Sequence, residues 1–234
     1  RVAGLSRADA VRVTSRAQRA LFEAAGVPPE SLAVLPPALD SELLSVEPAP
    51  QPTGGVFRLL CDVCPGDQVE IAALATLLWS IRETGASIEV TLRAPEGALA
   101  RLGSWLVDVG APAGALRLEP EAKGRPGRLA QVRAAHAWLG PLSRPVGWGR
   151  RALEALVSGR AVVLTRETGP VDWLGSEGFP REELPEALAA LSGDSGRLAR
   201  MARRSRSELA LACDPDRVAD ALLCCVLGPV RRVA

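Results

Sequence analysis

Three features of this 234-residue chain predict an α/β fold with a parallel sheet and a helical tail. Short apolar runs alternate with longer helix-like stretches between Val56 and Thr165, the pattern of strands that cross over through helices. Glycine or proline marks most of the junctions. From Arg181 to Val226 the strand-like runs cease and the reading becomes mostly helical.

The first block covers residues 1–45. Ala10 to Thr14 reads as a short strand, and Ser15 is placed to cap a helix over Arg16–Ala25 that Gly26 closes. Pro28-Pro29 turns the chain into a second short strand, Leu32–Leu35, which Pro36-Pro37 stops. Residues 46–55 carry Pro48, Pro50 and Pro52 in alternation and read as an extended, semi-rigid linker.

The second block, 56–180, opens with a buried-strand pattern over Val56–Val63 and a turn at Cys64-Pro65-Gly66-Asp67. A helix is expected over Gln68–Glu83, a strand over Ser87–Leu92, a helix over Glu96–Val109 and a short strand over Leu116–Leu118. Gly124–Gly127 reads as a turn, Arg128–Ala135 as helix and Ala137–Leu139 as strand. Gly147 and Gly149 form a glycine turn, Arg151–Val157 a helix that Gly159 ends, and Ala161–Leu164 an apolar strand. Residues 181–234 form the helical tail.

Composition removes several chemistries. Lys plus Arg (28) against Asp plus Glu (27) leaves a net charge of +1, which excludes binding of nucleic acid or anionic membrane by bulk charge. Every basic residue except Lys123 is Arg. One histidine, His136, cannot build a multi-histidine metal centre, and there is no tyrosine to serve as an acid. Five cysteines, an odd number in a chain too large to need staples, suggest a reduced, cytoplasmic protein. No apolar run reaches about 18 residues, so no transmembrane helix is expected. The chain starts without Met, and this reads as a piece of something longer.

The stretch with most chemistry is PLSRPVGWGRRALEALVSGRAVVLT, Pro141–Thr165. Glycines ahead of a helix let a ligand approach the backbone, where free N–H groups and the helix dipole favour phosphate. Glu154 lies one turn into that helix, off the apolar stripe of Ala152, Leu153, Leu156 and Val157, where a carboxylate can accept bonds from ribose hydroxyls. From spacing alone, a surface Glu on a packed helix after an ordinary glycine turn is the better reading.

This segment resembles the glycine-rich and E-x7-E region of the retaining GT-B glycosyltransferases of group 1, with Gly147, Trp148, Gly149, Glu154, Ala155, Gly159, Val162 and Val163 matching. Val11–Ser15, Leu32–Asp40, Ala135–Leu139 and Thr165–Leu174 resemble further parts of that family in the same order, and the helical tail resembles its closing helices. The resemblance implies a Rossmann-like donor-binding domain preceded by the last piece of an acceptor-side domain. It further implies transfer of a sugar, with retention, from a nucleotide-sugar donor to an unknown acceptor, with neither cofactor nor metal. Gly147, Trp148 and Gly149 would meet the donor, and Glu154 its ribose.

Two departures favour the alternative, a non-catalytic GT-B-derived binding or scaffolding module. The first Glu of the E-x7-E pair falls on Val146, and the loop after the first strand of the second block, Asp62–Gln68, has no basic residue to clamp a diphosphate. Arg144, Arg150 and Arg151 are the candidates to replace that clamp. Elsewhere, Cys61-x-x-Cys64 lacks the second pair that zinc needs, Cys224-Cys225 reads as core packing, and His136 as a structural histidine. The arginines at 197, 200, 203, 204 and 206 read as a solvated helix face, not a nucleic-acid site.

Overall fold

The computed structural model describes residues 10–39, 41–52, 55–63, 66–112, 114, 116–143, 150–166 and 178–227. A small amino-terminal unit pairs β1 (Val11–Val13) in parallel with β2 (Leu32–Val34) through α1 (Arg16–Ala24). Ser15 caps α1 by accepting a bond from the Gln18 N–H at 3.1 Å, and Val11, Val13, Val27 and Leu32 form a small core of their own. A one-turn helix, α2 (Ser41–Leu44), follows.

The main sheet has five parallel strands in the order β5-β4-β3-β6-β7: β3 Phe57–Asp62, β4 Ile88–Ala94, β5 Leu116–Pro120, β6 Ala137–Leu139 and β7 Ala161–Val163. Between them run α3 (Gln68–Glu83), α4 (Leu99–Asp108), α5 (Gly124–Ala134) and α6 (Arg150–Val157). The tail contributes α7 (Leu184–Ser192), α8 (Ser195–Ala212) and α9 (Pro215–Leu227).

Strands buried on both faces must be apolar on both, and β3 shows it. Leu59 and Cys61 face one core with Ile71, Leu74, Leu102, Leu188 and Leu198, while Leu60 faces the other with Leu129, Val132, Trp138, Leu156 and Leu209. The tail helix α8 belongs to both cores and packs along the edge strand β7, covering an edge that would otherwise be open to pairing.

The proline segment lies against the domain through its backbone carbonyls. Arg160, 1% exposed, donates to the carbonyls of Ala49 (3.1 Å), Pro50 (2.8 Å) and Arg133 (2.9 Å). Arg206 donates to those of Val157, Leu44 (3.3 Å) and Val46 (2.7 Å), and Arg133 to that of Glu47 (2.9 Å). Gly159 makes the close passage possible: its φ is +74°, and a Cβ there would stand 2.8 Å from Pro48 Cβ.

Three local expectations are corrected. Gly124–Gly127 is the first turn of α5, not a loop. Pro126 is tolerated because the first N–H groups of a helix have no intrahelical acceptor. Arg206 belongs to no solvated face, since α8 turns it onto the proline segment. Cys224 is exposed on α9 and not part of a core. His136 is the structural residue expected: its Nδ1 accepts the Arg58 N–H at 3.0 Å, its ring lies 5.4 Å from that of Phe57, and burial, with the Arg58 charge nearby, lowers its pKa.

Candidate functional site

β3, β4 and β5 progress outward in one direction, and the chain then returns to lay β6 on the other side of β3. The carboxyl ends of β3 and β6 therefore flank the topological switch point, where open parallel sheets bind ligands. The side chains gathered there come from five elements and the ends of the strands.

Asp62, the last residue of β3, is the hub. Arg93 of β4, its register partner across the strand pair, binds both carboxylate oxygens, at 2.7 and 3.1 Å. Trp138 of β6 donates its indole N–H to Asp62 Oδ2 at 2.7 Å, bridging the switch point, and Arg151 of α6 donates to Oδ1. Arg151 also binds Glu121, just past β5, at 2.8 Å. Arg128 of α5 stands 4.0 Å from Glu121 and donates its Nε–H to Glu154 Oε1 at 2.9 Å. Three arginines and three carboxylates thus alternate along the sheet edge and sum to zero charge.

Their exposure differs sharply. The Arg93 side chain is 0% exposed, Arg128 10%, Glu154 2% and Asp62 9%, whereas Arg151 is 32% exposed. Asp62 and Glu121 hold the Arg151 guanidinium above its ordinary pKa even though burial works the other way. Gln131 braces the network from α5: its Oε1 accepts the Ala122 N–H at 2.9 Å and lies 3.4 Å from Arg93 Nη1, and its amide donates to the Pro120 carbonyl at 2.8 Å.

A second anchor sits beside the network. Glu70, in the first turn of α3 and 8% exposed, accepts the N–H groups of Leu142 (2.8 Å) and Ser143 (2.7 Å). This fixes the chain as it leaves β6 for the glycine segment. Asp67 caps α3 through the Glu70 N–H at 3.2 Å. Neither acid of the 62–68 loop is therefore a bare charge facing the switch point.

Of the residues singled out in the sequence, Arg151 and Glu154 are brought to this edge together, Arg151 half-buried and Glu154 enclosed with Arg128. Arg150 opens α6. Arg144, Val146, Gly147, Trp148 and Gly149 lie outside the described residues, as does Cys64. Arg93, Arg128, Glu121, Trp138 and Glu70 were not anticipated. One signal was present: a charge closing each of two apolar strand runs, Asp62 after FRLLC and Arg93 in IEVTLRA. Among the described residues no group of His, Cys, Asp and Glu is arranged to hold a metal, and no helix is long and apolar enough to cross a membrane.

No protein-family model matches the chain, and no curated protein sequence matches it. Solved structures do. TarM of S. aureus superposes with a TM-score of 0.72 at 13% identity, over 95% of this chain and 44% of its own; it has also been solved, as a mutant, with UDP. Sucrose-phosphate synthase of Thermosynechococcus elongatus gives 0.68 at 15%, over 94% and 58%. HepE of Anabaena, solved with UDP-glucose, gives 0.63 at 18%, over 94% and 65%. These neighbours are GT-B glycosyltransferases, and the α/β fold of this chain is theirs. The chain spans 44% to 65% of their length.

Proposed function

We propose that this chain is the donor-side half of a glycosyltransferase that takes a nucleotide sugar at the switch point and transfers its sugar, with retention, to an acceptor. The observation that carries the reading is the placement of α6. Its first turn begins at the carboxyl edge of the sheet and sets Arg151 there. A helix amino end and a guanidinium together are a diphosphate-binding arrangement. The UDP and UDP-glucose complexes of proteins with the same fold support the same ligand class.

In this reading the backbone N–H groups of Gly147 and Gly149 meet the diphosphate, Trp148 the donor, and Arg151 the phosphate charge. Arg144 and Arg150 are the further candidates for that charge. Transfer leaves a nucleoside diphosphate, so its negative charge must be stabilised as the glycosidic bond breaks. No metal or cofactor is needed if guanidinium groups supply the positive charge. Glu154, whose Oε1 accepts from Arg128, is the candidate to hold the ribose in this reading.

One observation favours a second reading, a binding module without turnover. The six charges at the edge pair with one another, and Val146 stands where the family resemblance expects a sugar-contacting Glu. Calorimetric titration with UDP, GDP and ADP, followed by a nucleotide-release assay with the matching sugar donors, separates the two. The catalytic reading predicts binding and release. Binding without release supports the module, and no binding of any of the three contradicts both.

A further inference from the structure

We propose that Arg151 exchanges partners: it rests on Asp62 and Glu121 in the free chain, and the diphosphate of a bound nucleotide draws it off them. The proposal rests on the donor-site reading above and specifies how that site is held when empty.

Of the three arginines at the edge, only Arg151 can move at small cost. Arg93 and Arg128 are enclosed, whereas Arg151 is one-third exposed and lies in the first turn of α6, facing the strand ends. Its departure leaves neither acid without a cation. Asp62 keeps both bonds from Arg93 and the bond from the Trp138 indole. Glu121 already stands 4.0 Å from Arg128, and the Arg128 Nη2 is buried with no acceptor. That unused donor gives Glu121 a place to close when Arg151 leaves. A buried guanidinium nitrogen without an acceptor is costly, and a bond to Glu121 would recover that cost.

The two resident carboxylates therefore act as competitors of the phosphate. Affinity for a diphosphate is the difference between what Arg151 gains from the phosphate oxygens and what it gives up at Asp62 and Glu121. Affinity for the nucleoside alone does not contain this difference. The same acids keep the site from presenting an unpaired cation to other anions.

The test is calorimetric titration of the 234-residue chain with UDP, GDP and ADP and with the corresponding nucleosides. Glu121→Gln is expected to tighten the diphosphate by up to about five-fold, since a partly exposed ion pair of this kind is worth up to about 1 kcal/mol, and to leave the nucleoside unchanged. Arg151→Gln is expected to weaken the diphosphate by about ten-fold or more, again without moving the nucleoside, and Arg151→Lys to recover part of the loss. Glu121→Ala serves as the second variant, and circular dichroism of each protein establishes that it is folded. A wild-type chain that binds a diphosphate, with Glu121→Gln and Glu121→Ala no tighter or Arg151→Gln no weaker, overturns the exchange and leaves the donor-site reading standing. Failure of wild type and both Glu121 variants to bind any diphosphate overturns the two together.

Discussion

Replacing Asp62 with Asn keeps the shape of the hub and removes its charge. The side chain is 9% exposed and accepts from two arginines and an indole, and its main partner, Arg93, is 0% exposed. Removing one member of a buried ion pair strands the other, at about 3–5 kcal/mol. Here Arg93 retains weak contacts at 3.4–3.5 Å to Gln131 and the Arg128 carbonyl, and Asn still offers one acceptor oxygen. The lower end, about 3 kcal/mol, is therefore expected. For a chain of this size that corresponds to a fall in Tm of roughly 6–12 °C. Urea unfolding followed by circular dichroism, with an unchanged m-value, measures it directly. The double variant Asp62→Asn with Arg93→Met should lose markedly less than the sum of the two singles, because each single change strands the same partner. A single-variant loss below about 1 kcal/mol, or strict additivity, would refute the idea that Asp62 is the hub of a buried network.

Further outcomes follow from the same structure. His136 has an ordinary pKa of 6.5 that burial lowers in the fold. The unfolded chain thus takes up its proton first, and the stability this residue contributes is present above pH 6.5 and lost as pH falls through the lower folded value. Urea midpoints between pH 5 and 7.5 should fall more steeply with acid in wild type than in His136→Gln, and equal slopes would remove His136 from the account. Gly159→Ala combines a positive φ with contact against Pro48, so a loss of roughly 1–3 kcal/mol is expected, together with faster proteolytic cleavage in residues 46–52; unchanged cleavage would mean that the proline segment is not held by this passage. Burial raises the Cys61 thiol well above its ordinary pKa and pushes Cys213 up to about 12, whereas Cys224 is exposed. Iodoacetamide with peptide mapping should find Cys224 alkylated in the native protein and Cys61 and Cys213 only after denaturation.

Local signals carried most of the fold. The bounds Gln68–Glu83 and Ala137–Leu139 agree with the sequence reading to the residue, because Asp67 supplies a cap ahead of the first and apolar runs define both. Gly124–Gly127 misled, because glycine and proline mark a turn in isolation but are also compatible with the first turn of a helix packed through Leu129 and Val132. The candidate site was legible only where its residues are neighbours in the chain. Arg151 and Glu154 share one helix, and their spacing points to a single edge. Arg93, Arg128, Glu121 and Trp138 reach Asp62 or its partners through the strand order and the register that sets Asp62 beside Arg93, and no local pattern encodes either. Glu70 reads locally as one more acid in a helical first turn; its role depends on β6 ending beside it.

Crystals of the chain grown with the nucleoside diphosphate that binds best in titration test the central claim most directly. The account predicts the nucleotide at the carboxyl edge between β3 and β6, with a phosphate oxygen within hydrogen-bonding distance of Arg151 and Asp62 still bound to Arg93 and Trp138. A nucleotide seated elsewhere, or one seated there with Arg151 still paired to Asp62 and Glu121, would contradict it.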